Sequence, residues 1–495
     1  MLPISTRLRQ IIRSPRAALG IFASLVLGTA ALLVTSQATG GAGEGTAPPE
    51  GPPLHRVRTN GTDGVTFSAA LSQSKLVQGS NGVIYLDLRI ATPEARPATA
   101  EVRATDLVVV LDRSGSMAAE NRLPYAKEAV RSLLSRLRTE DRFALVTFDS
   151  TAVVNAELTP VTEAMRVQMG QHVHSLQPGS STNISAGLLK ARALFRGPAG
   201  ARSRKVILLS DGEANRGLVD PQALATIAAS FAAQHAVLST IGMGLGFNET
   251  LMASLADHGM GHYGYLEHLS GLGDILVKDM QEARQVYASA SGLDITLGEG
   301  VTVADAGGYP LDGTSKPGTV RVVTGQLLGG TSKHFVVTLM IPTQHPGNFG
   351  LEEMTLHYDT GDGTRRVSLA GGQLRVAVLE PARRDEAVAS VDQGLFRQLW
   401  EGNNLGRLQK AYSHWVRTGD KARAEQTIRD YRQSMQTAES DTGVPVASQG
   451  VIDQLSAMEQ ELKEAFTGPA GAQQEKRNRA AKSRHDTALK SQRSQ

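Results

Sequence analysis

The sequence predicts an α/β domain with a doubly wound sheet, inserted between the strands of a β-sandwich and followed by a helical region. Three observations predict it. Within residues 103–285, short apolar runs alternate with helical patterns: LVVVL at 107–111, FALVTF at 143–148, VILLS at 206–210 and AVLSTIG at 236–242. On either side, residues 64–91 and 286–379 alternate as half-buried strands do, between Gly-rich turns. Beyond residue 381, Leu395, Phe396, Leu399 and Trp400, then Leu405, Leu408, Tyr412 and Trp415, recur at helical spacing.

Taken in order, the chain opens on a targeting segment. Arg7, Arg9, Arg13 and Arg16 precede an uncharged apolar run over 17–35, and Ser36-Gln37-Ala38 is a small-x-small cleavage site. Residues 1–38 therefore read as a signal peptide or a retained membrane anchor. Either one exports the rest of the chain, to the periplasm, cell envelope or cell surface. Residues 39–60 read as a linker rich in Gly and Pro. Residues 61–102 form the first part of the sandwich, and a few strands cannot bury a face alone. Their partners come from 286–380, with the α/β domain over 103–285 inserted between. Its helices are expected at 124–137, 184–195, 221–234, 249–257 and 272–283, with Pro124 and Pro221 in first-turn positions. Residues 381–466 are expected to be helical, and 467–495 a basic disordered tail.

Composition narrows the function. Cysteine is absent from the 495 residues, which removes disulfides, thiolate metal sites and cysteine nucleophiles. Aromatics are 4%, too few for a stacking platform, and no nucleic-acid partner is expected. The net charge of +3 comes from the two ends. Residues 1–16 hold four arginines and no acid, and 467–495 hold seven Lys/Arg against two acids, so the central protein is mildly acidic.

Ligands of a doubly wound sheet bind beyond the carboxyl ends of its strands. After LVVVL come Asp112, Arg113, Ser114, Gly115 and Ser116; after VILLS comes Asp211; and Thr182 lies in the run GSSTN that opens a helix. Two carboxylates and three hydroxyls at one sheet edge are hard oxygen ligands. They suit a hard divalent cation, Mg2+ first, with Mn2+ and Ca2+ left open. Asp-x-Ser-x-Ser suits this because alternate residues of an extended loop can turn their oxygens to one side, and Gly115 allows a tight turn.

Residues 105–285 resemble the von Willebrand factor type A domain with its metal-ion-dependent adhesion site, a Rossmann-like fold. Asp112, Ser114, Ser116, Thr182 and Asp211 match the family pattern in order, and LSDGEANRG and DRFALVTFDS also look like the family. The wider layout resembles bacterial exported proteins of this type and, distantly, inter-alpha-trypsin inhibitor heavy chains and calcium-activated chloride channel regulators. The HExxH motif of those regulators is absent, so no proteolysis is carried over. The resemblance implies that the three hydroxyls bind the ion directly or through water. The two aspartates would act largely through water, and a protein partner's carboxylate would complete the shell.

Other features carry less. Gly259 and Gly261 disfavour a helix that would align His258 and His262, so these, with His268, read as loop histidines. No Gly-x-Ser-x-Gly elbow contains Ser114 or Ser116, and no enzyme is expected. Asp149 reads equally as a supporting group of the site or a turn cap. The expected function is an exported, cation-dependent protein-binding module. The alternative is a structural scaffold of an envelope assembly in which the metal only stabilises the fold.

Overall fold

The computed structural model describes residues 56–94, 104–197, 202–211, 214–243, 247–266, 286–288, 290–313, 316–360, 363–370, 372 and 374–492. The targeting segment, the linker up to residue 55 and the expected helix over 272–283 lie outside the described residues.

Four strands precede the α/β unit: β1 (Arg56–Asn60), β2 (Thr66–Leu71), β3 (Lys75–Val77) and β4 (Val83–Ala91). Residues 56–60 are strand and not linker, since β1 pairs antiparallel with β2 from Arg56↔Ala70 to Asn60↔Thr66. Its RVRTN sequence is polar because it is an edge strand with half its side chains in water.

The inserted unit runs β5 (Thr105–Asp112), α1 (Arg122–Arg136), β6 (Arg142–Phe148), β7 (Ala152–Pro160), α2 (Glu163–Ser175), α3 (Ile184–Leu194), β8 (Ser203–Ser210), α4 (Pro221–Ala229), β9 (Ala236–Met243), α5 (Glu249–His258) and β10 (Met260–Leu266). The sheet order is β10-β9-β8-β5-β6-β7, parallel except for β7. Successive residues of β5 feed opposite layers, as the two-residue period requires. Leu107, Val109 and Leu111 pack with Leu123 and Val130 of α1, while Val108 and Val110 pack with Leu188 of α3 and Leu224 of α4. Burial on both faces explains why these strands read as unbroken apolar runs.

The second part of the sandwich contributes β11 (Val286–Ala288), β12 (Ala290–Leu297), β13 (Thr302–Asp305), β14 (Leu311–Gly313), β15 (Thr319–Val323), β16 (Leu327–Leu328), β17 (Ser332–Met340), β18 (Gly347–Asp359), β19 (Thr364–Ala370) and β20 (Arg375–Leu379). One sheet is β1-β2-β4-β17-β13. A second is β14-β15-β12-β18-β20-β3, with β19 on β18, and β11 and β16 pair as a separate two-stranded sheet. Strands from before and after the α/β unit therefore interleave. β4 pairs with β17 from Val83↔Met340 to Ala91↔Ser332, and β3 pairs with β20. Phe67, Leu86 and Leu88 share one core with Ile295, Leu339, Leu356 and Val376.

The C-terminal helices are α6 (Arg384–Ala389), α7 (Gln393–Thr418), α8 (Lys421–Thr442), α9 (Gln449–Ala465) and α10 (Ala470–Gln492). Asp392 caps α7, accepting from the Leu395 amide at 2.9 Å, and Gly419 at φ +81 ends it. α7 covers the outer face of the first sheet, where Phe396 and Trp400 pack on Tyr85 and Val336. Asn403 donates to Thr338 Oγ1 at 2.7 Å, and Asn404 to the Tyr85 hydroxyl at 2.9 Å.

The basic tail is not disordered: residues 470–492 form α10, packed along α7. Its polar composition hides a seam of buried alanines, Ala480, Ala481 and Ala488, small enough for close helix approach. Arg484 also pairs with Glu461 of α9 at 2.9 Å. Ala481→Leu is expected to overpack this seam, costing about 1–3 kcal/mol, read as a lower urea midpoint.

Candidate metal centre

The order β8-β5-β6 sets three carboxyl strand ends side by side, and each is followed or closed by an aspartate: Asp211, Asp112 and Asp149. Asp112 is fully buried. Its Oδ1 accepts from the Ser114 amide at 2.7 Å and its Oδ2 from Ser210 Oγ at 2.6 Å. Ser114 Oγ lies 3.1 Å from Ser116 Oγ, which donates to Asp211 Oδ1 at 2.9 Å. Asp112, Ser114, Ser116 and Asp211 thus form one continuous chain of contacts, with Ser116 exposed at the mouth and the other three buried.

Thr182 joins through its backbone. Gly115 N donates to Ser180 O at 2.8 Å and Gly179 N to Arg113 O at 2.5 Å, which stitches the Thr182 loop to the Asp-x-Ser-x-Ser loop. On the other side the Thr182 amide donates to Asn215 Oδ1 at 2.8 Å, and the Asn215 amide donates back to Thr182 O at 3.1 Å. All five expected residues are therefore brought to one edge. Gly115 serves by close approach, not by a left-handed backbone. A Cβ there would stand 3.3 Å from Ser180 O, and the positive φ values fall later, on Glu120 and Asn121.

Asp149 fills both roles open to it. Its Oδ1 accepts from the Thr151 amide at 3.1 Å, capping the turn. Its Oδ2 pairs with Arg113 at 2.7 Å, holding the ligand loop. A Cβ on Gly179 would meet that carboxylate at 2.2 Å, so only glycine fits there.

Two residues escaped the sequence reading. Asn215, in the GEANRG run, ties the Thr182 loop to β8's end. Arg122, at the first position of α1, donates through Nη1 to Asp211 Oδ2 at 2.6 Å and pairs with Glu120 at 2.9 Å. Its signal is a cation in a helix's first turn, opposed to the helix dipole and so in need of acids.

Burial pushes the Asp112 carboxyl up to about 6; repulsion from Asp211 adds to this, while bonds from Ser210 and Ser114 oppose it. Among the described residues no group of three or more His, Cys, Asp or Glu could hold a metal. The donor set fits a cation: Asp112 and Asp211 are both buried and joined through serine oxygens, and of the two only Asp211 pairs with Arg122, which leaves negative charge at an oxygen-lined edge. Ser114, Ser116 and Thr182 with Asp112 and Asp211 would hold a hard divalent ion.

His258 and His262 lie elsewhere and not in a loop. His258 closes α5, with Nδ1 2.8 Å from Ser254 O, and His262 lies in β10. Gly261 serves the strand, since a Cβ would stand 2.3 Å from Leu238 O. His268 falls outside the described residues.

Residues 106–277 match the family model of the von Willebrand factor type A domain. The uncharacterised protein YfbK of Escherichia coli K12 is 30% identical over 184 residues, which is 37% of this chain and 32% of that protein. Human inter-alpha-trypsin inhibitor heavy chain H2 is 28% identical over 128 residues, 25% of this chain and 11% of that one. The chain thus spans about a third or less of these two relatives. Among solved structures, von Willebrand factor type A from Catenulispora acidiphila aligns over 82% of this chain and 91% of that one, with TM-score 0.59 and 18% identity. The ArnB paralog VWA2 from Sulfolobus acidocaldarius aligns over 86% and 98%, with TM-score 0.51 and 17% identity. These likenesses are of fold, and they extend beyond the α/β unit to most of the chain.

Proposed function

For a chain built around a von Willebrand factor type A domain, we propose an exported protein-binding module that captures a partner's carboxylate through a divalent cation, Mg2+ first. Domains of this type commonly mediate protein–protein contacts. The observation that carries the reading is the linked set Asp112–Ser114–Ser116–Asp211, buried at both ends and open at Ser116, with Thr182 held beside it. A bound cation would supply Lewis-acid attraction for an incoming carboxylate. The chain's own part is to fix the oxygens. Asp112 anchors the Ser114 amide, Arg113–Asp149 braces the loop, and Asn215 positions Thr182. Two acids against a doubly charged ion leave it close to neutral in total, able to accept a further carboxylate.

We read the site as binding and not catalytic. The contacts of Ser114 and Ser116 Oγ include each other, Asp112 and Asp211, and the other oxygen of Asp211 is committed to Arg122. Export rests on the Arg-flanked apolar run over 17–35. Retained uncleaved, that run would also anchor the protein to the membrane.

The test is affinity capture from solubilised envelope with full-length protein, in Mg2+ and in EDTA, alongside Ser116→Ala. A partner held in Mg2+, released by EDTA and lost with Ser116→Ala is expected. Identical partners in EDTA would overturn the reading. If Mg2+ then still raised the melting temperature, the scaffold role would replace it. Turnover abolished by Ser116→Ala would show an enzyme.

A further inference from the structure

Arg122 is a buried guanidinium whose position takes effort to achieve. The chain between the ligand loop and α1 passes through two consecutive non-glycine residues with left-handed backbone, Glu120 at φ 52 and Asn121 at φ 57. Such conformations are unfavourable for residues with a Cβ. They bring Arg122 to a helix N-terminus, where the dipole disfavours a cation. Two acids hold it there. Nη1 reaches Asp211 Oδ2 at 2.6 Å, while Nε and Nη2 reach Glu120 Oε2 at 3.3 and 2.9 Å. The two acids differ. The Asp211 side chain is fully buried, whereas Glu120 is 59% exposed. One arm of Arg122 therefore lies on a site carboxylate and the other on a solvent-facing one. Further charged groups crowd this side of the site. Burial, first, and then Arg122 and Arg417 pull Lys482 of α10 down to about 7 against Glu249 and Glu120. Lys482 Nζ sits over the Phe247 ring, 3.7 Å from its centroid.

We propose that Arg122 is a built-in cation that competes with the divalent ion for Asp211, so that Arg122 and Glu120 together set how weakly and reversibly the site binds metal. This rests on the metal-site reading above. Without the ion, Arg122 neutralises Asp211 and keeps two buried acids tolerable at one edge. As a divalent charge approaches Ser114, Ser116 and Asp211, the guanidinium is repelled, and Glu120 takes up its charge at the solvent boundary. An arginine that merely oriented Asp211 would act with the opposite sign: its loss would weaken metal binding.

The test is Mg2+ titration by calorimetry on the full-length protein. Arg122→Met is expected to raise Mg2+ affinity about tenfold or more, because a unit charge beside a ligand carboxylate is removed. Glu120→Gln, an exposed change that should leave folding intact, is expected to lower affinity several-fold by leaving Arg122 only Asp211. Glu128→Gln, with the same charge change on α1 and a pairing to Arg131 instead, is the control and should change little. If Arg122→Met does not fold, the Glu120→Gln and Glu128→Gln contrast decides alone. Lower affinity in Arg122→Met, or equal effects of Glu120→Gln and Glu128→Gln, would overturn the competitor role while leaving the metal site standing. No Mg2+ binding by wild type or any variant would overturn the metal site itself, and the competitor with it.

Discussion

Asp112→Asn is expected to lower Mg2+ affinity by about 100-fold while leaving the fold intact. Groups that orient metal ligands typically contribute 10–100-fold each, and Asp112 contributes charge as well. The carboxylate does two things at once. It fixes the loop by accepting from the Ser114 amide at 2.7 Å, and it brings one of two buried negative charges to the edge. The amide side chain keeps an oxygen for Ser114 N and removes the charge. It also removes the repulsion from Asp211 that helps hold the Asp112 carboxyl near 6, after burial itself. The measurement is melting temperature with and without Mg2+. A ligand that binds only the folded state stabilises it by about 2.7 kcal/mol at a hundred times its Kd, so wild type should shift upward by several degrees. Asp112→Asn should shift hardly at all at the same concentration. A variant that kept the full wild-type shift would show that the ion sits elsewhere.

What could be read from the sequence followed burial. Strands β5, β6, β8 and β9 were legible because both faces are covered, which forces unbroken apolar runs. The elements that escaped cover one face or none. β1 is a polar edge strand, and β7, at the other edge of its sheet, is half exposed. α2 buries only Met169 and Val173, so no apolar stripe announces it, although Thr162 caps it by accepting from the Met165 amide. α10 reads as disorder because its buried face is three alanines with Lys482 and His485, which count little in any apolar pattern. The placement of the five candidate residues at one edge was legible because their order follows strand ends, which topology fixes. Arg122, Asn215 and Arg113 as the partner of Asp149 were not, since they act through contacts between loops whose closeness no local pattern reports.

Asp106→Ala is expected to be the more damaging change to stability, by about 3–5 kcal/mol, although it lies on the same strand as Asp112 and is equally buried. The two aspartates stand at opposite ends of β5 in opposite electrostatic settings. Asp106 is enclosed by cations. Arg142 Nε reaches its Oδ1 at 2.7 Å, Arg202 pairs with the same oxygen, and Arg204 Nε lies 3.9 Å from Oδ2. Arg204 is itself 3% exposed, stacked on Phe195 and bonded to Gln234 O and Gly197 O. Burial, the larger influence, pulls Arg204 below its ordinary pKa, and Asp106 works against that. Without Asp106 three guanidiniums would face one another with no carboxylate, one of them in the interior. A loss of 3–5 kcal/mol is a large fraction of the 5–15 kcal/mol that usually holds a domain folded, so the urea midpoint should fall sharply. An unfolding free energy within about 1 kcal/mol of wild type would contradict the argument. The contrast with Asp112→Asn separates architecture from function along a single strand. At the amino end the acid is satisfied by the protein's own arginines, and removing it breaks the fold. At the carboxyl end Arg122 pairs with Asp211 and Asp112 meets no guanidinium, and the charge left over is what a divalent cation would complete.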